Sequence, residues 1–240
     1  MSTLSRTRRW LLIKLLTAVT AFAAAFGALL GIAPVTAHAA PTGCSDVEVI
    51  FARGTFEPAG LGRVGDAFVQ SLRTQLPDKS IEAYGVAYPA SLDFGRAADG
   101  VIDASNRMQD IAARCPATEI VLGGYSQGAA VNAYVTTDTL PAGYALPGGI
   151  TGPLPSSVAD HVAAVALFGK PSASILGLLA HDAPPIVIGA PYAGKTIDLC
   201  APADPVCQQG SLDRAAHSLY PVNGMTDQAA EFAARQLQLA

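Results

Sequence analysis

The stretch Gly124-Tyr125-Ser126-Gln127-Gly128 decides how this chain folds. It follows the apolar run Ile120-Val121-Leu122 and precedes the small-residue helical pattern Ala129-Ala130-Val131-Asn132-Ala133. Gly-x-Ser-x-Gly between a strand and a helix is typical of a nucleophile elbow, in which the glycines let strand and helix approach closely and the serine hydroxyl is lifted out of the sheet. The motif alone is equally compatible with an ordinary strand-to-helix turn, so its meaning depends on an acid and then a histidine further along the chain.

Apolar runs and helical patterns alternate on both sides of this stretch. Strands are predicted at 47–52, 81–88, 120–122, 162–169 and 195–199, and helices at 64–75, 95–114, after Ser126, and at 226–239. A Gly- and Pro-rich segment, 141–155, is predicted to be a surface loop. The alternation predicts an α/β fold with a central parallel sheet of about five strands and helices on both faces.

Residues 1–39 have the pattern of an export signal. Four basic residues come first, an apolar stretch covers 15–35, and Ala37-His38-Ala39 offers a cleavage site. Arg8-Arg9 also resembles a twin-arginine signal, so the export route stays open. The apolar stretch is long enough to remain as a membrane anchor, but the cleavage site favours its removal. We therefore expect a secreted protein whose single mature domain is 40–240, with no membrane span after cleavage.

The charge of the mature domain restricts its partners. Residues 1–39 contain four basic side chains and no acidic one, so the net charge of −4 becomes −8 when they are removed. An acidic exported domain argues against nucleic acid as a partner.

Four cysteines lie in the mature domain: Cys44, Cys115, Cys200 and Cys207. An even number in an exported chain favours disulfides, and three pairings are possible. The spacing favours Cys200 with Cys207 as a short clip, leaving Cys44 with Cys115. A zinc site is the rival interpretation, but there is no Cys-x-x-Cys and the histidines are scattered, so we expect no metal.

An acid and a histidine follow the elbow in the order that its chemistry needs. Asp204 lies between Cys200 and Cys207, directly after the last predicted strand, and His217 follows 13 residues later. An Asp in a Pro-rich loop is usually a turn residue, but this position favours one that orients a histidine. The order Ser, acid, His makes Ser126, Asp204 and His217 the candidate catalytic residues.

Two other histidines of the mature domain fit this order less well. His161 opens the strand at 162–169, at the edge opposite the elbow's outlet, and His181 neighbours Asp182 in a loop. Both are interpreted as ordinary solvated histidines.

The first strand runs into Arg53-Gly54-Thr55-Phe56-Glu57-Pro58. A Gly-containing turn at this place, upstream of the elbow, can form the second half of an oxyanion hole. An ordinary β-to-α turn is equally compatible with its position.

Taken together, these segments resemble the cutinase family, and most closely its secreted bacterial members. The resemblance rests on 52–58, 124–130, the Cys200-x-x-x-Asp204-x-x-Cys207 loop and His217, and it covers nearly the whole mature chain in order. It implies an α/β-hydrolase without a lid that cleaves carboxylic esters and needs no cofactor.

The resemblance also implies a role for each site residue. Ser126 would be the nucleophile, His217 the general base and acid, and Asp204 the residue that orients His217. The backbone N–H groups of Thr55 and Gln127 would form the oxyanion hole, assisted by the Thr55 hydroxyl. The family's two disulfides fall on Cys44 with Cys115 and Cys200 with Cys207.

Two departures from the family bear on the substrate. Thr55 stands where the family often has serine, and Ser211-Leu212-Asp213-Arg214 is more polar than the matching loop of fungal cutinases. We therefore expect soluble or lipid esters of short- to medium-chain acyl groups rather than a waxy polymer, and a monomeric enzyme. A lipase, phospholipase or thioesterase acting on cell-wall lipids, and a non-catalytic lipid-binding protein, are the alternatives.

Overall fold

The structure, a computed structural model, describes residues 43–139, 148–150 and 152–239. The predicted export signal lies outside these ranges, as does much of the segment predicted as a loop at 141–155. The described residues belong to one unit, Ala40–Ala240. Across the described ranges, no helix is both long enough and apolar enough to cross a membrane.

Five strands and seven α-helices alternate along the described chain. In order they are β1 (Val47–Ala52), α1 (Gly62–Gln75), β2 (Ile81–Gly85), α2 (Ala97–Arg114), β3 (Glu119–Tyr125), α3 (Gln127–Val135), α4 (Ser156–Ala159), β4 (Val162–Phe168), α5 (Ala173–Leu179), α6 (Ala190–Ala193), β5 (Thr196–Leu199) and α7 (Met225–Leu239). Single 3₁₀ turns lie at Phe94–Arg96 and Ala216–Ser218.

The strands form one parallel sheet in the order β2-β1-β3-β4-β5. Every residue of β1 and β4 is buried, as expected for central strands covered on both faces. Because all five strands point the same way, the loops that follow them gather at one edge of the sheet, where ligands of open α/β sheets bind.

Helices cover both faces of the sheet, as the sequence predicts. On one face α1 and α7 pack against Phe51 and Phe168, and α1 contributes Phe68 to this aromatic core. On the other face α2 and α3 pack against Ile50 and Leu122. The apolar side chains of α1 recur every three or four residues, which turns one continuous stripe toward the sheet.

Two strand predictions need correction at their ends. The strand predicted at 81–88 stops at Gly85, because the carbonyls of Val86 and Tyr88 accept hydrogen bonds from the Arg53 guanidinium instead of continuing the ladder. The elbow strand was predicted to stop at its glycines, yet β3 runs through both to Tyr125, paired with β1 and β4. Short helices α4, α5 and α6 were not predicted.

Candidate active site

Ser126 occupies the turn between β3 and α3 with strained backbone angles, φ 54° and ψ −119°. Its N–H donates to the carbonyl of Phe168 at the end of β4, which holds the turn against the neighbouring strand (2.9 Å). A Cβ at Gly124 would collide with the carbonyl of Gly128, and a Cβ at Gly128 with the carbonyl of Ala52. Both flanking glycines are therefore required for the close approach of strand and helix.

The structure brings the three candidate catalytic residues together at the carboxyl edge of the sheet. His217 lies in the 3₁₀ turn before α7, and its Nε2 is 2.8 Å from Oγ of Ser126. Its Nδ1 is 2.8 Å from Oδ2 of Asp204, in the loop after β5. With Nδ1–H donating to the carboxylate, Nε2 is left to accept the serine proton.

Asp204 is completely buried, and each of its carboxylate oxygens is hydrogen-bonded. Besides His217, the hydroxyl of Tyr220 donates to Oδ2 (2.6 Å), and the N–H of Val206 donates to Oδ1 (2.9 Å). Burial by itself would raise the pKa of Asp204, but the hydrogen bonds from His217, Tyr220 and Val206 outweigh it and hold the pKa below its usual value. The carboxylate is therefore ionised at neutral pH.

Two tyrosines hold His217 in this orientation. Tyr220 is fully buried, accepts a hydrogen bond from the N–H of Ala201 (3.0 Å), and packs edge-on against the imidazole. Burial and the neighbouring Asp204 raise its pKa, so it stays a donor. The ring of Tyr125 lies 4.9 Å from the imidazole centroid, and its hydroxyl donates to the carbonyl of His217 (2.5 Å). Sequence reasoning missed both roles, although Tyr125 stands inside the elbow motif.

The loop that carries Asp204 is closed by a disulfide. Cys200 and Cys207 are bonded, and Cys44 is bonded to Cys115, which are the pairings favoured by the spacing. Inside the small ring, Ala203 has a positive φ of 66° and its N–H donates to the side chain of Gln208 (2.7 Å). The disulfide and this hydrogen bond fix the direction in which Asp204 points.

Thr55 and Gln127 lie side by side across the elbow. The Thr55 hydroxyl donates to Oε1 of Gln127 (3.3 Å), whose Nε2 donates to the carbonyl of Ser91 (3.0 Å). The backbone N–H groups of Thr55 and Gln127 donate none of the hydrogen bonds found among the described residues, so both are available to a substrate oxygen.

Arg53, which sequence reasoning also missed, stabilises the loop that carries Thr55. Its buried guanidinium donates to the carbonyls of Glu57, Val86 and Tyr88 at 2.8, 3.2 and 2.6 Å. The Glu57 carboxylate in turn accepts from the N–H of Gly54 (2.7 Å). These contacts join the loops after β1 and β2, so the Thr55 N–H is held in place before substrate arrives.

Neither of the other histidines reaches this site. His161 precedes β4 at the amino edge of the sheet, and its carbonyl accepts from the N–H of Ile120 (2.7 Å). His181 is exposed and pairs with Asp182 (3.1 Å). Within the described residues there is also no group of three or more His, Cys, Asp or Glu side chains placed to hold a metal ion. The arrangement can therefore activate a hydroxyl, with two N–H groups nearby for a developing negative charge.

Residues 43–237 match the protein-family model described as Cutinase. Among curated proteins, the chain is 50% identical to "Phospholipase Culp4" of Mycobacterium tuberculosis, over 92% of each chain. It is 48% identical to "Carboxylesterase Culp1" of the same species, over 85% of this chain and 86% of that protein.

Solved structures of similar proteins share the fold. Trichoderma reesei cutinase in complex with a C11Y4 phosphonate inhibitor is 31% identical with a TM-score of 0.61, over 81% of this chain and 77% of that one. An acetylxylan esterase is 25% identical with a TM-score of 0.63, over 81% and 99%. With the family model covering most of the chain, this protein belongs to the cutinase family of α/β-hydrolases and is a serine carboxylic ester hydrolase.

Proposed function

We propose that this protein is a secreted esterase that hydrolyses carboxylic esters of short- to medium-chain acyl groups, with Ser126, His217 and Asp204 as its catalytic triad. One observation carries the proposal. The two ring nitrogens of His217 are each 2.8 Å from a partner, Oγ of Ser126 on one side and Oδ2 of Asp204 on the other. This is the geometry that an activated serine needs.

In the first half of the reaction, Ser126 Oγ attacks the ester carbonyl carbon while Nε2 of His217 takes its proton. The carbonyl oxygen becomes an oxyanion and accepts hydrogen bonds from the N–H groups of Thr55 and Gln127. Asp204, ionised and hydrogen-bonded through both carboxylate oxygens, stabilises the imidazolium that forms. His217 then gives its proton to the leaving alcohol, and the acyl group remains on Ser126.

In the second half, water takes the place of the alcohol. His217 removes a proton from the water as it attacks the acyl-enzyme, and the same two N–H groups hold the second oxyanion. The acid is released when His217 returns the proton to Ser126. Every proton moves through one nitrogen, Nε2, and the reaction as proposed uses no cofactor.

The surroundings of the site support an ester with an apolar acyl group. Phe56 after β1, Leu92 after β2, and Leu212 and Leu219 in the segment that carries His217 are exposed apolar side chains on loops that follow the strands. Large apolar side chains exposed at this edge are available to an apolar acyl group. Asp213 and Arg214 interrupt the apolar character of the loop before His217, which favours soluble or lipid esters over a waxy polymer.

Hydrolysis of phospholipid esters is the second candidate function. It is favoured by the similarity to the protein named Phospholipase Culp4, which extends over 92% of both chains. The same triad chemistry would serve a lipase or a thioesterase acting on cell-wall lipids. A series of substrates that vary in chain length and head group separates these possibilities from the simple esterase.

The direct test is hydrolysis of p-nitrophenyl butanoate by the wild type and by Ser126→Ala. Loss of the nucleophile is expected to reduce kcat by about 10⁴-fold or more. Ser157→Ala, an exposed serine of α4, is the matched control and is expected to behave as the wild type. Equal turnover by Ser126→Ala and the control would rule out the proposed triad.

Secretion has a separate test. The full chain is expressed in a bacterial host, and the protein in the culture medium is analysed by intact-mass spectrometry. We expect a mature protein that begins at or near Ala40. Full-length protein retained with the membrane fraction would instead support the uncleaved anchor.

A further inference from the structure

A groove of about 570 Å³ lies between α2, the end of α3 and the segment after α5. Six of the residues that line it are Leu92, Val101, Val135, Leu154, Leu179 and Pro184. We call it the side groove. Its volume lies within the range of small-molecule binding sites. The residues that line it do not include Ser126 or His217, so it is separate from the place where the ester bond is cleaved.

One wall of the side groove begins beside Gln127. Leu92, which lines the groove, follows Ser91, whose carbonyl accepts from the Gln127 side chain (3.0 Å). Helix α3 starts at Gln127 and ends at Val135, which lines the groove. At 1.5 Å per residue, the helix covers about 12 Å. Because the residues of α3 before Tyr134 are buried and do not line the groove, the groove lies at the far end of α3 and approaches the candidate site through Leu92.

The opposite wall also begins at the candidate site. Ser172, the N-cap of α5, donates its N–H to the carbonyl of Val206 (2.9 Å), inside the disulfide-closed loop of Asp204. Helix α5 ends at Leu179, which lines the groove and is 45% exposed, while the adjacent Leu178 is 75% exposed. Leu92 on the facing side is 63% exposed. Large apolar side chains thus remain in contact with solvent on both walls.

Two of the polar side chains in the side groove have partners on the protein. The hydroxyl of Tyr134 donates to the carbonyl of Pro184 (2.6 Å), and His181 is paired with Asp182 at the solvent side. The lining is mainly apolar, formed by leucine, valine, alanine and proline side chains, with Asp93, Ser105 and Thr137 also present. A mainly apolar lining favours an uncharged hydrocarbon chain.

We propose that the side groove binds the distal part of a long acyl chain whose ester carbonyl lies at Ser126. The proposal rests on the proposed function, and it extends the acyl range beyond short and medium chains. The length of α3, about 12 Å, gives the distance from Gln127 to Val135, and roughly nine methylene groups of an extended chain span it. Substrates with twelve or more carbons therefore reach into the groove.

The test is the ratio of kcat/KM for p-nitrophenyl dodecanoate to that for p-nitrophenyl butanoate. Ala98→Phe on α2 and Ala183→Phe on the opposite wall each place a ring in the groove. Ala113→Phe, at an exposed position near the end of the same helix α2, is the matched control. Burial of one methylene group changes binding about fourfold, so exclusion of two or more methylenes is expected to lower the ratio at least about tenfold.

The outcomes separate this proposal from the one on which it rests. A lower ratio in Ala98→Phe and Ala183→Phe, with the wild-type ratio in Ala113→Phe, supports binding of the acyl chain in the side groove. The two substitutions lie on different walls, so a folding defect in one leaves the other to decide. If a folded Ala98→Phe or Ala183→Phe variant keeps the wild-type ratio of kcat/KM values, the side groove does not bind the acyl chain, and the proposed esterase activity is unaffected. No hydrolysis of either ester by the wild type overturns the proposed function and the acyl site with it.

Discussion

The two ends of the sheet each contain a disulfide and a buried carboxylate, yet only one is equipped for chemistry. At the amino end, Glu48 is 3% exposed and pairs with Arg107 (2.5 Å), close to the Cys44–Cys115 disulfide. At the carboxyl end, Asp204 is fully buried and pairs with His217 inside the Cys200–Cys207 loop. Arginine keeps its proton at any physiological pH, whereas histidine gains and loses one. The buried carboxylate therefore forms a structural ion pair where its partner is arginine and a candidate catalytic pair where its partner is histidine.

The largest contrast is expected from removing the negative charge at each end. Asp204→Asn is expected to lower kcat about 10³- to 10⁴-fold, because the amide no longer stabilises imidazolium or holds the required tautomer. Glu48→Gln is expected to leave kcat within about twofold and to lower the free energy of unfolding by about 1–3 kcal/mol, as Arg107 is partly exposed. Steady-state kinetics and urea denaturation of both variants test this. Similar losses of activity in the two variants would remove the distinction.

The two disulfides are expected to differ in the same way. Replacing Cys200 and Cys207 by serine loosens the Asp204 loop and is expected to lower kcat about ten- to a hundredfold, by misplacing the carboxylate. Replacing Cys44 and Cys115 is expected to leave kcat nearly unchanged. The Cys44–Cys115 disulfide closes a loop of 71 residues, and its loss is expected to lower the free energy of unfolding by about 4 kcal/mol. The Cys200–Cys207 disulfide closes a loop of 7 residues, and its loss is expected to lower it by about 2 kcal/mol. Loss of activity in the Cys44/Cys115 variant while it remains folded would contradict the assignment.

A smaller effect is expected from the hydroxyl of Tyr220, which donates to the same oxygen of Asp204 as His217. Tyr220→Phe is expected to lower kcat about tenfold and leave KM nearly unchanged, because a charge-assisted hydrogen bond is lost at a group remote from substrate. Tyr192→Phe is the matched control: Tyr192 is also buried, but its hydroxyl has no hydrogen-bond partner in the described part of the chain. A rise in KM without a change in kcat would assign Tyr220 to substrate binding.

The smallest expected effect is on the pH dependence of stability. The pKa of Asp204 is below its usual 3.8 in the folded protein, so its stabilising contribution is complete well above pH 3.8. It is lost as the pH falls through 3.8 and then through the lower folded value. Asp204→Asn lacks this contribution, so its free energy of unfolding is expected to fall less than that of the wild type between pH 6 and pH 3. If urea denaturation shows that the wild type and Asp204→Asn lose equal free energies of unfolding between pH 6 and pH 3, the pKa of Asp204 is not lowered.

The strands, the long helices and the order of the site residues could be predicted from the sequence because each depends on a local pattern. Burial on both faces makes β4 uniformly apolar and β1 apolar except for Glu48, and the elbow motif requires its two glycines for steric reasons. The short helices α4, α5 and α6 were not predicted because four to seven residues do not display a helical period.

Roles that depend on distant contacts could not be predicted. Arg53 binds the carbonyl of Tyr88, 35 positions away, and so ends β2 early and stabilises the loop that carries Thr55. Tyr220 reaches Asp204 across 16 positions. The side groove is lined by several segments that lie far apart in the chain. None of these contacts leaves a pattern in the sequence, because each depends on which loops the sheet brings together.

The most direct test of the central claim is covalent labelling with a fluorophosphonate, followed by peptide mass spectrometry. A serine activated by His217 and Asp204 is expected to give one adduct per chain, on Ser126, under conditions that leave other serines unlabelled. Labelling is expected to vanish in Ser126→Ala and to slow strongly in Asp204→Asn. A folded wild-type protein that acquires no adduct, or acquires it equally in Asp204→Asn, would contradict the catalytic triad.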